Sequence, residues 1–199
     1  MIAYLKGSLA VIEPTHAIIE CGGIGYLVKI SLNTYSQIRD KKEVKLHTHF
    51  WVREDNQTLF GFAKPQEQQL FELLIGISGV GGNTAMTILS SISASDLVQA
   101  VQGEDVATLK RVKGIGAKTA GRIILELKDK IQIGGIEGKA VTAAAGGSSL
   151  AHKKQEASAA LMQLGFPRTE VNKRVDRILR EKGESASVEE IIKLALRNN

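Results

Sequence analysis

Two segments of this chain carry residues suited to holding phosphate groups, and residues 74–89 align with residues 109–124 at a constant spacing of 35. Each segment contains a Gly-apolar-Gly triplet, at residues 79–81 and 114–116. Glycine accepts positive φ values and lets a ligand approach the backbone closely. The helix that follows would begin with amide groups that lack an intrahelical acceptor, which favours a phosphate oxygen there. The pattern predicts two phosphate-binding turns that read backbone shape and charge rather than bases.

The residues that flank the triplets are also repeated. One triplet alone is equally typical of an ordinary bend in which glycine ends a helix. The two copies, however, share a preceding leucine, a Thr-Ala pair and a later isoleucine, which favours a duplicated functional unit. The second copy is basic, with seven Lys or Arg and two Asp or Glu over residues 110–130. Lys118 and Arg122 stand one helical turn apart beside the predicted site, whereas Lys128 is predicted to lie on a solvated helix face.

This duplicated pattern resembles the helix-hairpin-helix motif of DNA repair and recombination proteins, whose tandem copies grip both strands of a duplex across the minor groove. Val80 and Ile115, between the glycines, are expected to pack back between the two helices of each copy. The first copy departs from the motif because Gly82-Asn83 stands where a basic pair such as Pro-Lys is common. We therefore predict that the first copy relies on backbone N–H groups. The residues predicted to contact DNA are Gly79, Gly81, Gly82, Asn83, Thr84, Gly114, Gly116, Ala117, Lys118, Thr119 and Arg122.

No catalytic residue and no resident metal or cofactor is predicted. Residues 114–119 combine glycines with a Lys-Thr pair, as an ATP-binding P-loop does. The spacing between these residues, however, is not that of a P-loop. His47 and His49 fall on one face of a strand, and strand alternation explains this pair better than a metal site does. Asp129 follows the second repeat, where a helix-hairpin-helix glycosylase would need a catalytic residue, but its neighbours favour an ion pair with Lys128 or Lys130.

The first 64 residues predict a small β-barrel. Apolar residues alternate or run continuously over five short stretches, which Pro14 and the Gly22-Gly23 pair separate. Together with a short helix over residues 33–38, five strands joined by glycine turns indicate a barrel of the OB type. The predicted strands are residues 2–11, 17–21, 25–30, 44–52 and 58–62.

From residue 65 onwards the hydrophobic period is helical. The tail resembles ubiquitin-associated domains, which bind proteins, and Ser187 with Glu190 predicts a helix N-terminal cap. Glycine, alanine and serine dominate residues 134–151, which predicts a flexible linker, with an alanine-rich helix over 139–145 as the alternative. The predicted helices are residues 66–75, 96–103 after Ser95, 106–112 after Asp105, a helix ending at 130, and 154–164, 169–181 and 187–196. The predicted class is α+β and multidomain, with a barrel at 1–64, tandem hairpins at 65–133 and a three-helix domain at 152–199.

Composition narrows the class of protein further. The 199 residues carry a formal net charge of +5, which suits a polyanionic partner. The single cysteine, Cys21, excludes a disulfide framework. No apolar run reaches the length of a membrane span, and the start lacks the order of a signal peptide. We therefore expect a cytoplasmic protein without a membrane partner.

A barrel, tandem hairpins, a linker and a three-helix tail, in this order, resemble the bacterial RuvA family. Members of that family are the Holliday-junction-binding subunits of the RuvAB branch-migration machine. The matching segments are residues 22–26, 48–55, 59–62 and 125–129, together with both hairpins. The resemblance implies a homotetramer, or an octamer of two facing tetramers, that holds four-way junction DNA during recombination and the repair of DNA damage.

The resemblance also implies roles for residues that local patterns leave unassigned. Glu54 and Asp55, which the sequence alone describes as solvated turn acids, would form an acidic pin at the centre of the tetramer. The chain would not hydrolyse ATP, since the partner motor, the RuvB ATPase, would use ATP and magnesium. The tail would recruit RuvB, and the RuvC resolvase is a further expected partner. The residues predicted to contact the motor are Leu161, Leu164, Ile178 and Leu179.

Two other functions stay open on the residues alone. The first is a DNA repair enzyme, either a glycosylase or a nuclease, in which the hairpins only dock the DNA. The second is a general duplex-binding protein. Cleavage of a labelled junction in the presence of magnesium would favour the enzyme, and equal binding of junction and duplex would favour the general binder.

Overall fold

A computed structural model describes residues 1–134, 149–183 and 186–197. The chain divides into two compact units, residues 1–139 and 140–199. The strands are β1 (Tyr4–Glu13), β2 (His16–Cys21), β3 (Ile24–Ile30), β4 (Glu43–Val52) and β5 (Gln57–Phe62). The helices of the first unit are α1 (Leu32–Ile38), α2 (Pro65–Ile75), α3 (Gly82–Ser91), α4 (Ala94–Gln102), α5 (Val106–Lys110) and α6 (Ala117–Gly134). Those of the second unit are α7 (Ser149–Gln163), α8 (Arg168–Lys182) and α9 (Val188–Arg197).

The five strands close into a barrel in the order β1-β2-β3-β5-β4, with β4 returning to β1. Only β3 and β5 run parallel, and α1 bridges β3 and β4. Alternate residues of the strands point inward, as the period-2 pattern predicts. The predicted five-stranded barrel is confirmed. Its buried interior consists of Leu5, Ala17, Ile19, Val28, Ile30, Ile38, Val44 and Leu46.

Helix α1 fastens the barrel to the helices of the hairpins. The side-chain amide of Asn33 donates hydrogen bonds to the carbonyls of Leu89, at 2.6 Å, and Ile92, at 3.2 Å. The carboxylate of Glu67 on α2 is 7% exposed and accepts from Thr34 Oγ1 at 3.0 Å and Gln37 Nε2 at 2.8 Å. A buried carboxylate is costly unless donors satisfy it, and the two donors on α1 satisfy Glu67. Through these hydrogen bonds α1 holds α2 and α3 beside the barrel.

The sequence boundary after residue 64 does not separate two compact units. Phe60 and Phe62 of β5 belong to the same buried cluster as the helices, and the Phe71 ring of α2 lies 4.8 Å and 5.0 Å from theirs. Strand β5 therefore contributes to a core that the barrel shares with the hairpin helices, beside the separate interior of the barrel, and we call it the shared core.

Two helix starts differ from the prediction by more than one residue. Helix α4 begins at Ala94, because the hydroxyl of Ser93, rather than Ser95, accepts from the amide of Asp96 at 3.1 Å. Helix α7 begins at Ser149, so the last residues of the predicted linker are helical, as is Gly134 at its start. The rest of that linker, including the alternative helix over 139–145, lies outside the described residues.

The second unit forms its own core from α7, α8 and α9. Its cap is confirmed, because Ser187 Oγ accepts from the amide of Glu190 at 3.2 Å and the Glu190 carboxylate accepts from the amide of Ser187 at 3.3 Å. The guanidinium of Arg174 lies 5.3 Å from the Phe166 ring and donates to the carbonyl of Ala195 at 2.6 Å. Its buried residues are Ala157, Leu161, Val171, Val175, Ile178, Leu179, Ala186, Ile191 and Ala195.

Candidate nucleic-acid interface

The two predicted turns have the same backbone hydrogen bonds. In the first, the amide of Ile77 donates to Leu74 and the amide of Val80 donates to Ile77, both at 3.0 Å. The first bond of α3 runs from Ala85 to Gly81 at 2.9 Å. The same three bonds recur 35 residues later with lengths of 3.1, 3.1 and 2.9 Å. The sequence repeat is therefore a structural repeat.

The glycines and the residue between them behave as the spacing predicts. Gly79 and Gly114 have φ values of +88° and +86°, which an L side chain adopts only at a cost. Val80 and Ile115 are 4% and 6% exposed, so both pack into the core between their helices. The turns are thereby fixed from inside while their glycines face outward.

Each turn delivers a helix N-terminus to the surface. The amides of Gly82, Asn83 and Thr84 precede the first intrahelical bond of α3, and no side chain caps this helix at Gly81. In α6 the amides of residues 117–119 precede the bond from Ala120 to Gly116 in the same way. Such groups carry the positive end of the helix dipole and suit an anionic oxygen.

Gly82 has a packing role that its place in the motif did not reveal. A Cβ atom at this position would lie 2.7 Å from Cζ of Phe60. Because the ring belongs to β5, the absence of a side chain allows the start of α3 to rest directly on the barrel. The first turn is therefore positioned by the barrel as well as by its own helices.

The cations of the second turn have different surroundings. Lys118 is exposed at the start of α6. Arg122 is exposed too, and its Nη1 donates to the carbonyl of Ser78 in the first turn at 3.1 Å. This bond joins the two hairpins, and the sequence carries no signal for it because the residues are 44 positions apart. Arg122 thus links the two turns in addition to its predicted place near phosphate.

Lys128 lies on a partly exposed helix face, in keeping with the prediction, and it also makes a surface ion pair. Its ammonium pairs with the carboxylate of Glu104 in the turn between α4 and α5. The hydrogen bond and charge of Lys128 lower the pKa of Glu104. Lys128 therefore adds a surface contact between α6 and the turn before α5, of the kind that contributes little to stability.

The acidic pair lies at the tip of the hairpin between β4 and β5, as predicted. Glu54 and Asp55 are exposed, and the amide of Arg53 donates to the carbonyl of Asn56 at 2.8 Å to close the turn. The guanidinium of Arg53 lies 5.0 Å from the centre of the Trp51 ring. A groove of about 370 Å³ separates this tip from the start of α3.

The residues considered as metal ligands or catalytic groups form no such site among the described residues. Nδ1 of His49 lies 3.2 Å from the carboxylate of Glu72, and its ring packs 5.4 Å from that of Phe71. Across the described ranges, no three His, Cys, Asp or Glu residues are grouped as metal ligands. The side chain of Asp129, for which an ion pair was predicted, lies outside the description. No described helix combines the length and apolar content needed to cross a membrane.

The structure reduces the set of tail residues available to a partner. Leu161 and Ile178 are 1% and 2% exposed, and Leu179 is 9% exposed, so all three belong to the core of the second unit. A domain this small needs most of its large apolar side chains for its own interior. Leu164 is 59% exposed and is the one member of the predicted set left at the surface.

Comparisons with known proteins agree with this architecture. Residues 1–61 match the RuvA N terminal domain, residues 71–129 the SAM-like Helix-hairpin-helix tandem and residues 153–198 the RuvA C-terminal domain. A relative from Bacteroides fragilis, named Holliday junction branch migration complex subunit RuvA, is 49% identical over 99% of both chains. Relatives of the same name from Christiangramia forsetii and Flavobacterium psychrophilum are 48% identical over 99% and 41% identical over 100% of both chains. The chain therefore belongs to the RuvA family.

Proposed function

We propose that this chain is the junction-binding subunit of a branch migration complex and has no catalytic centre of its own. The observation that carries this proposal is the pair of equivalent turns in one compact unit, each presenting helix amides without an intrahelical acceptor. Two such sites, linked by the bond from Arg122 to Ser78, suit the two backbones of one DNA arm. The names of the full-length relatives support the same function.

The assembly we propose is a cytoplasmic homotetramer. The alternative assembly is an octamer of two facing tetramers. Each of four identical subunits would hold one arm of a four-way junction. The acidic tips of four protomers would bring eight carboxylates to the crossover, where they repel phosphates and favour a junction with an open centre. RuvB would bind the second unit and supply the ATP- and magnesium-dependent work, and RuvC would act on the held junction.

The decisive experiment compares binding to a four-way junction with binding to a duplex of matched length, by gel shift at moderate salt without magnesium. We expect a strong preference for the junction and one or two discrete complexes. Equal binding to the two DNAs would contradict the proposal and leave a general duplex binder. Cleavage of the junction when magnesium is added would instead indicate a repair nuclease.

The salt dependence of binding tests the scale of the interface. If each protomer neutralises about four phosphates, a tetramer neutralises about sixteen, and the slope of log affinity against log salt is on the order of −10. We expect this slope with junctions of unrelated base sequence, measured by fluorescence anisotropy. A slope near −2, or one that changes with base sequence, would contradict four-armed backbone binding.

A further inference from the structure

The first hairpin lacks the cations that the second one carries. Residues 65–109 contain no Lys or Arg. At the constant spacing of 35, Asn83 stands in the place of Lys118 and Thr87 in the place of Arg122. Two turns with the same backbone therefore differ by two positive charges, although both are predicted to hold phosphate.

A lysine from the barrel reaches the position that lacks a cation. Lys29 lies on β3, and its Nζ donates to Oδ1 of Asn83 at 3.4 Å. Asn83 is the second residue of α3, as Lys118 is the second residue of α6. The ammonium of Lys29 thus stands at the start of α3, although its backbone belongs to another element.

The packing around Lys29 holds this arrangement in place. In the parallel ladder of β3 and β5, Lys29 pairs with Phe60, and the Phe60 ring is the surface on which Gly82 rests. The strand that carries the ammonium and the strand that seats α3 are therefore adjacent. The distance from the Lys29 ammonium to the start of α3 therefore depends on the packing of β3, β5 and α3 rather than on a surface loop.

The ammonium also faces an open, charged groove. Lys29 and Arg53 both line the groove of about 370 Å³ that runs between the start of α3 and the acidic tip, and Asp55 lines it as well. Within the part of the chain that the structure describes, no ion pair joins Lys29 to a carboxylate. The Lys29 charge is therefore available to an anion that enters the groove.

We propose that Lys29 is the phosphate-binding cation of the first hairpin, supplied by the barrel in place of the lysine that the hairpin itself lacks. A DNA phosphate at the amides of α3 would accept a charge-assisted hydrogen bond from the Lys29 ammonium, whose point charge suits phosphate. This inference rests on the proposed function and adds a residue outside both repeats to the DNA interface.

The test compares Lys29→Gln with Lys41→Gln, which removes the same charge from an exposed lysine after α1. Affinity and salt slope are measured for each full-length protein, on both the junction and the matched duplex. For each bound protomer, we expect Lys29→Gln to weaken binding about tenfold and to reduce the magnitude of the slope by about 0.9. Lys41→Gln should match the wild type in both quantities.

A second variant separates phosphate binding from a purely structural contact with Asn83. Asn83→Lys in the Lys29→Gln background returns a cation to the same place from α3, and we expect it to restore both affinity and slope. If Lys29 only fastened α3 to the barrel, Lys29→Gln would lower the melting temperature and leave the slope unchanged. Equal binding by the Lys29→Gln and Lys41→Gln proteins would also overturn the inference.

Amine acetylation of the wild-type protein provides a readout that needs no variant. DNA should protect Lys29 from acetylation more strongly than Lys41, as measured by mass spectrometry, and an unprotected Lys29 would overturn the inference. Because duplex is tested as well, the two proposals fail separately. A protein that binds junction and duplex equally but loses both with Lys29→Gln would refute the junction function and retain the Lys29 contact.

Discussion

At the scale of single residues, the glycines of the turns have two different physical requirements. Gly114 needs its conformation, because its φ of +86° is unfavourable for any residue with a Cβ. Gly116 has no positive φ, and a Cβ there would meet no atom of the protein within 4 Å. Its lack of a side chain therefore matters only if something outside the protein approaches the backbone.

Alanine substitutions at these two positions should separate folding from DNA binding. We expect Gly114→Ala to lower the free energy of unfolding by about 1–2 kcal/mol, because a left-handed L-residue is strained. Gly116→Ala should leave stability unchanged or slightly raised, yet weaken DNA binding because its methyl group occupies the approach of the phosphate. Urea unfolding and anisotropy titrations measure the two effects. Undiminished binding by a folded Gly116→Ala protein would place the phosphate elsewhere.

The pair of Glu104 and Lys128 predicts a pH effect on stability. The pKa of Glu104 is lowered from 4.5 by Lys128, so the folded state favours its charged form. This contribution to stability is present above the unfolded pKa and is lost as the pH falls through the lowered folded value. We expect Glu104→Gln to reduce the melting temperature at pH 7 and to approach the wild type below pH 4.5. Glu20→Gln, at an exposed strand position, serves as the control and should show no such convergence.

At the scale of elements, the hairpins are a pair whose spacing is enforced by contacts outside the motif. Arg122 joins α6 to the turn at Ser78, and α1 joins the barrel to α3 through Asn33. Each contact crosses from one element to another, so the two helix N-termini keep a fixed separation. We expect two phosphate sites positioned in this way to bind DNA with little further ordering cost.

The hairpin between β4 and β5 is the element to which we assign the proposed junction preference. Glu54→Gln combined with Asp55→Asn removes two charges from an exposed tip while preserving side-chain size. We expect tighter binding to plain duplex and poorer discrimination in favour of junctions, because repulsion between carboxylates and phosphates is lost. The gel shift is run at low salt, where screening is weakest. An unchanged affinity for duplex would count against the acidic pin.

At the scale of the whole molecule, the unit that carries the hairpins and the unit formed by the tail have separate buried cores. The barrel interior and the cluster that β5 shares with the hairpin helices both lie in the first unit, and α7 to α9 form a separate cluster in the second. Changes in one unit should therefore leave the stability of the other intact. This separation lets the proposed recruitment of the motor be altered without touching the junction interface.

Leu164 offers the direct test of that separation. Leu164→Ser changes a side chain that is 59% exposed, so we expect little effect on the melting temperature or on junction affinity. Stimulation of RuvB ATPase activity on junction DNA should fall if Leu164 contacts the motor. Leu161→Ser is the contrasting variant, since its side chain is 1% exposed and its loss should unfold the second unit. Full stimulation by the Leu164→Ser protein would move the motor site to another surface.

The sequence by itself determined the features that depend on neighbouring residues. Strand alternation, the paired glycines and the cap at Ser187 each reflect bonds between positions a few residues apart, and the structure confirms them. Patterns of this kind are legible because local hydrogen bonding and side-chain period are properties of a short segment.

Only the tertiary structure decided which distant residues meet. The bond from Arg122 to Ser78, the contact of Lys29 with Asn83 and the exposure of Leu164 each depend on how whole elements pack. No spacing rule encodes these contacts, because the shape of the shared core determines them. The repeat therefore predicts two phosphate sites with the same backbone, whereas packing determines which cations stand beside each one.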